Sequence, residues 1–193
     1  PHDAGRLHFG FLGSLAWQKG VHVLVEAFNR LPEGPRLTVY GGESAFPEYA
    51  ARVRALARHP GITFAGALGY RDVGAALRTL DCLVVPSLWY ENSPLVIQEA
   101  YAAGVPVVAS RLGALAEKVA DGRTGRLFTA GDAGDLAAVL SDLIANPQKL
   151  PEMARNIRPA PTLDEQAPLL VEAYQMLLAG APAPQVSGLL RQR

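Results

Sequence analysis

Six times along the 193 residues a short apolar run is followed by a stretch whose apolar positions recur at helical spacing, and that alternation leaves few folds open. Residues 7–12 precede 21–31, 36–40 precede 47–59, 62–65 precede 71–80, 82–86 precede 94–103, 106–110 precede 114–120, and 125–128 precede 132–145. Runs such as Cys82-Leu-Val-Val and Val105-Pro-Val-Val-Ala are apolar throughout rather than at alternate positions, as strands are when helices cover both faces of a sheet. Strand-then-helix order predicts parallel strands joined by crossovers. The expected fold is α/β: a Rossmann-like, doubly wound parallel sheet of about six strands with helices on both faces, followed by two further C-terminal helices.

Those two helices are expected at 147–158 and 163–178, separated by the breaker Pro159-Ala-Pro161 and started by the capping residue Thr162. In the second, Leu163, Ala167, Leu170, Tyr174 and Leu177 share one face, which suits packing on the chain's own domain or docking on another. Residues 1–6 read as linker, 7–178 as one domain, and 179–193, where Ala, Gly and Pro recur, as a tail.

Composition narrows the partners. An apolar share of 49% supplies a full core, while 18 basic against 18 acidic residues, with no basic block, argue against a nucleic-acid partner. Cys82 stands alone, so no intrachain disulfide or Cys-rich metal site forms, and a reducing cytoplasm is the expected home. No apolar run approaches the roughly 20 residues of a spanning helix, and 1–6 carry no signal-peptide pattern.

In open α/β sheets ligands bind outside the carboxyl ends of the strands, so the loops at 13–20, 41–46, 66–71, 87–93 and 110–113 are the ones to inspect. The first is Gly13-Ser-Leu-Ala-Trp-Gln-Lys19-Gly20. Its glycines let a ligand approach the backbone, and Lys19, one of only three lysines, offers a compact ammonium to a diphosphate, although a solvated loop lysine would look the same. The fourth loop runs into Glu91-Asn92-Ser93-Pro94-Leu95-Val96-Ile-Gln-Glu99. Ser93 is expected to cap a helix with Pro94 as its first residue, leaving the N–H groups of Leu95 and Val96 for an anion. Glu91 and Glu99 flank that turn, and carboxylates suit the hydroxyls of a sugar. Gly113 would let backbone approach a bound sugar, His22 stands near enough to Lys19 to touch a phosphate, and Asp121-Gly122 reads as turn chemistry.

Several chemistries are absent. No Gly-x-Gly-x-x-Gly follows the first strand, which counts against a pyridine-nucleotide domain, and there is neither a P-loop nor a Gly-x-Ser-x-Gly elbow. His2, His8, His22 and His59 show no metal spacing, so neither metal nor cofactor is expected.

The segments 11–21, 91–100, 103–110 and 121–125 together resemble the C-terminal domain of the family 4 retaining glycosyltransferases, which have the two-domain GT-B fold; the resemblance covers about 7–178. Glu91 and Glu99, with seven residues between them, match that family's paired-glutamate motif. The resemblance implies a donor-binding domain that holds a nucleotide sugar: Lys19 on the diphosphate beside Gly13 and Ser14, Glu91 with Asn92 and Ser93 at the transferred sugar, Leu95 and Val96 at the helix start, Glu99 on the ribose, and the base near Phe64, Ala65 and Gly66. Lys19 and Glu91 take the catalytic roles in moving a hexosyl group to an acceptor hydroxyl, without metal. The family places Arg after the first glycine, where this chain has Ser14. The resemblance also implies a missing N-terminal acceptor-binding domain, without which the chain alone is inactive and through which any peripheral membrane association would run. A non-catalytic nucleotide-sugar-binding or regulatory module is the competing reading.

Overall fold

The structure is a computed structural model that describes residues 6–158 and 163–180. Among the described residues six strands form: β1 (His8–Leu12), β2 (Arg36–Tyr40), β3 (Ile62–Gly66), β4 (Cys82–Val85), β5 (Val107–Ser110) and β6 (Gly125–Phe128). Every pairing is parallel, in the order β3-β2-β1-β4-β5-β6. The helices between them are α1 (Val21–Phe28), α2 (Pro47–Leu56), α3 (Val73–Leu77), α4 (Leu95–Ala102) and α5 (Gly113–Lys118), and β6 is followed by α6 (Ala133–Ala145) and α7 (Lys149–Asn156).

The two helical layers follow from the two-residue repeat of the strands. Phe9, Phe11, Leu37, Val39, Cys82, Val84, Val108 and Phe128 face one core, completed by α1, α2, α6 and α7. Leu83, Val85, Val107, Ala109 and Leu127 face the other, completed by α3, α4 and α5. Central strands carry apolar residues on both faces, and this is why β4 and β5 are fully buried along their lengths. Phe28 on α1 meets Phe9 edge-on with ring centroids 6.0 Å apart and His59 at 4.9 Å. His59 itself is fixed in the core: its Nδ1 accepts from the Gly61 N–H, so Nε2 carries the proton and donates to Pro32 O. Burial pushes the Cys82 thiol up to about 12, which leaves it inert at neutral pH.

Boundaries differ from expectation where local chemistry intervenes. The helix expected at 71–80 is a 3-10 turn, Tyr70–Asp72, followed by the short α3, because Gly74 weakens the helix and the chain must reach Asp81 to start β4. The helix α7 carries Pro151 in its first turn, where a missing N–H costs no bond. A second compact unit holds α8 (Leu163–Leu178), which contains Pro168. Thr162, most of the expected linker and residues 181–193 of the expected tail lie outside the described residues.

One contact sets the geometry of the first loop. A 3-10 turn, Trp17–Lys19, ends at Gly20 in the left-handed conformation (φ 67°) before α1 starts. A Cβ on Gly20 would lie 1.9 Å from the carbonyl oxygen of Pro86 at the end of β4. Gly20→Ala is therefore expected to cost at least about 3 kcal/mol, from left-handed strain plus a backbone clash. Gly122→Ala, also left-handed but with open space around it, should cost about 1–2 kcal/mol. Equal losses in urea denaturation would contradict the close approach of the two loops.

Candidate functional site

The strand order reverses between β1 and β4, so their connections leave toward opposite faces and a crevice opens between the loops. Two backbone bonds tie the loops around it. The Leu88 N–H donates to Gln18 O at 2.8 Å across the crevice, and the Leu15 N–H donates to Gly42 O at 3.1 Å toward the loop after β2. The resulting cleft has a volume of about 550 Å³ and is lined by Gly13, Ser14, Lys19, Glu91, Ser93, Leu95, Val96 and Glu99 among the expected residues. That size suits a small-molecule ligand.

Lys19 and Glu91, 72 positions apart in sequence, meet here: Nζ donates to Oε1 at 2.6 Å, with both side chains partly buried. The Ser87 hydroxyl, 1% exposed, donates to the same oxygen at 2.7 Å. Burial pushes the Glu91 carboxyl upward, but the bonds from Lys19 and Ser87 and the Lys19 charge outweigh it and hold the group below the usual carboxylate range. Among the described residues lining the cleft, Lys19 is the one cation.

The start of α4 differs from expectation. Pro94, not Ser93, is the capping residue, with ψ at 92°, and no side chain caps the helix. Pro94 itself takes extended backbone, so the helix starts one residue later than expected and Ser93 is left one position too early to cap it. The first bond into the helix runs from the Ile97 N–H to Pro94 O, so the N–H groups of Leu95 and Val96 keep no acceptor within the described residues. The end is thus better prepared for an external anion than a serine-capped one. Glu99 lies in the second turn, lines the same cleft, and has no side-chain hydrogen bond or ion pair within the described residues.

Four of the residues that the resemblance implies at the donor do not line the cleft. Asn92 is exposed outside it. Phe64, Ala65 and Gly66 belong to β3, which runs one residue further than expected; Phe64 stacks under the Arg54 guanidinium, 4.6 Å from the ring centre. Ala67 and Leu68, just beyond the strand, line the cleft in their place, together with Tyr40, Gly41 and Gly42 after β2. The paired glycines at 41–42 were a visible signal for that loop; Ser87 left none, because only the folded loop brings it to Glu91. His22 is engaged elsewhere: the Tyr49 hydroxyl accepts from its backbone N–H at 3.2 Å and donates to Nδ1 at 2.8 Å. Gly113 is covered by the Tyr90 ring and is not part of the cleft. Asp121 holds Arg111 at 2.7 Å and accepts from the Leu127 N–H, a structural turn as expected. Among the described residues no group of three His, Cys, Asp or Glu could hold a metal ion, and no helix is long and apolar enough to cross a membrane.

Comparison with known sequences places this architecture. The family described as Glycosyl transferases group 1 matches residues 6–146. The chain belongs to that family. A D-inositol 3-phosphate glycosyltransferase of Xylanimonas cellulosilytica is 33% identical over 180 residues, covering 90% of this chain and 43% of its own length. A crystal structure of Anabaena HepE in complex with UDP and glucose shares 26% identity with a TM-score of 0.71, covering 79% of this chain and 42% of that one. The C-terminal domain of a group 1 glycosyl transferase, LpcC, from Francisella tularensis shares the fold at 24% identity and a TM-score of 0.66, covering 78% of this chain and 81% of that one. The group 1 chain described here is thus of the C-terminal type with a GT-B-like fold, and it spans less than half the length of the curated relatives it matches.

The depressed Glu91 carboxyl has a sign that experiment can read. A group held below its unfolded value contributes stability that is complete above about 4.5 and lost as pH falls through the folded value. Between pH 5 and pH 3 the melting temperature of the wild type should fall more than that of Glu91→Gln; parallel curves would remove the Lys19–Glu91 bond from the folded state.

Proposed function

We propose that this chain is the donor-binding part of a retaining family 4 glycosyltransferase, and that its cleft holds a nucleoside diphosphate sugar. The observation that carries the reading is the convergence, in one crevice, of the Lys19–Glu91 pair, the uncapped start of α4 and the unpartnered Glu99 carboxylate. Lys19 takes the diphosphate, the Leu95 and Val96 N–H groups share its charge, and Glu99 accepts from the ribose. Glu91, with the backbone that follows it, meets the transferred sugar. The base lies toward Ala67 and Leu68 at the end of β3. The UDP, UDP-glucose and glucose named in the Anabaena HepE structures support this choice of ligand class.

The chemistry we assign needs no metal. The bond from the anomeric carbon to the diphosphate breaks while the acceptor oxygen bonds to that carbon on the same face, and the acceptor proton passes to the departing diphosphate. The protein's part is to stabilise charge as it grows on the diphosphate, which an ammonium and a helix N-terminus do physically. Ser14, where the family this sequence resembles places Arg, offers a neutral hydrogen bond, so Lys19 and α4 bear that charge between them. The same serine favours the alternative of a binding module without turnover. For transfer, the acceptor seat lies on a further domain, and positioning of both substrates is worth about 7–11 kcal/mol.

Calorimetry with UDP, GDP and ADP should find one that binds, and Lys19→Ala should weaken it by about ten- to a hundredfold, the value of a charge-assisted bond. Glu99→Gln should weaken the same nucleotide, with unchanged affinity removing it from the ribose. Transfer from a labelled nucleotide-sugar panel to an acceptor mixture is expected to be undetectable for this chain alone; efficient turnover would place the acceptor site within these residues and overturn the two-domain reading.

A further inference from the structure

A small cavity of about 230 Å³ opens between α1 and α2, and it shares no lining residue with the cleft at the switch point. Helical spacing assembles its walls. His22 and Glu26, four positions apart, lie on one face of α1, while Tyr49, Arg52 and Val53 share one face of α2. Trp17 joins them from the 3-10 turn whose last residue, Lys19, lines the larger cleft. Val53 is 1% exposed and gives the cavity an apolar base, whereas Trp17 is 60% exposed and leaves its indole open to a ligand.

The polar groups of this cavity keep bonding capacity that the chain does not use. The Tyr49 hydroxyl occupies His22 Nδ1 at 2.8 Å and the two rings meet edge-on with centroids 5.8 Å apart, so the imidazole is held in one orientation. Burial pushes the His22 pKa down, which leaves the ring neutral at pH 7 with its proton on Nε2, a donor without a partner among the described residues. Glu26 and Arg52 both act electrostatically on His22. Their side chains, like that of Trp17, nevertheless make no hydrogen bond or ion pair among the described residues.

That inventory selects a ligand class. Charges of opposite sign on the two helices disfavour an ionic ligand of either sign. One acceptor (Glu26), three donors (Arg52, His22 Nε2 and Trp17 Nε1) and an exposed aromatic face are the complement of a sugar ring, which has an apolar C–H face and a rim of hydroxyls that each donate and accept. A nucleobase would also stack on the indole, but its few edge groups would leave most of these four unpaired. The cavity is smaller than the roughly 300–1,000 Å³ of sites for drug-sized ligands, and this suits a single ring.

We propose that the cavity between α1 and α2 binds one neutral pyranose ring, with Trp17 as its stacking platform and Glu26, Arg52 and His22 Nε2 as partners of its hydroxyls. A sugar seated here is held rather than transferred. The site is separate from the donor cleft and stands whether or not that cleft binds a nucleotide.

The test is titration of the labelled wild-type chain with the methyl α-glycosides of glucose, mannose and galactose, followed by amide chemical shifts. At least one should bind at about millimolar affinity, the range open to so small a ligand, with the largest changes at 17, 22, 26, 49 and 52. Trp17→Ala should weaken that glycoside by about tenfold or more, and Glu26→Gln and Arg52→Ala each by about three- to tenfold. Glu26 and Arg52 are exposed, so these two variants supply the answer if Trp17→Ala disturbs its turn. Sorbitol, which has the hydroxyls without the ring face, and uridine should shift the same amides far less. Changes centred on the donor cleft, no response at the five positions, an equal response to sorbitol or uridine, or wild-type affinity in all three variants would each overturn the proposal. Nucleoside diphosphate affinity should be unchanged in Glu26→Gln and Arg52→Ala, so failure here leaves the donor-binding reading standing.

Discussion

The reversal of strand order between β1 and β4 governs everything at the upper end of this domain. A sheet whose crossovers all ran one way would carry every helix on one face and have no switch point, whereas here α1 leaves to one face and α4 to the other. The gap between them is narrow because Gly20 lies against the Pro86 carbonyl and the Leu88 N–H bonds to Gln18. These contacts bring a lysine from the first loop within bonding distance of a glutamate from the fourth. The cleft is therefore a property of topology first and of side chains second.

Within that cleft, charge is arranged sparingly. One ammonium faces two carboxylates, and one of these is already paired with it. The Glu91 carboxyl remains ionised in spite of burial because Lys19 and Ser87 hold it. The missing side-chain cap at α4 adds two N–H donors that carry partial positive charge without the reach or flexibility of a second cation. A chain with Ser14 in the first loop depends more heavily on these donors than one with an arginine there.

The fold was legible because burial on both faces writes itself into composition: β4 and β5 read as unbroken apolar runs, and the six strand-helix units fall at the expected places. Lys19, Glu91 and Glu99 were legible because each stands in a loop, or just inside a helix, at the carboxyl edge. Details decided by backbone geometry were not. Whether Ser93 or Pro94 caps α4 turns on a single ψ angle. Phe64 to Gly66 fall outside the cleft because all three belong to β3, with Phe64 under Arg54, while the cleft is lined by the residues just beyond the strand. Ser87 could not be found from sequence at all, since its partner lies four residues away in a loop without periodicity.

The proposed seat of the nucleotide sugar is the switch point between β1 and β4. Amide chemical shifts of the labelled chain, followed during titration with the nucleotide sugar it binds, test this most directly. The largest changes are expected at 13–20, 41–42, 67–68 and 87–99. The opposite pole of the sheet offers a second cavity of about 580 Å³, lined by Leu7, Leu80, Val105 and Leu150, and changes centred there would contradict it.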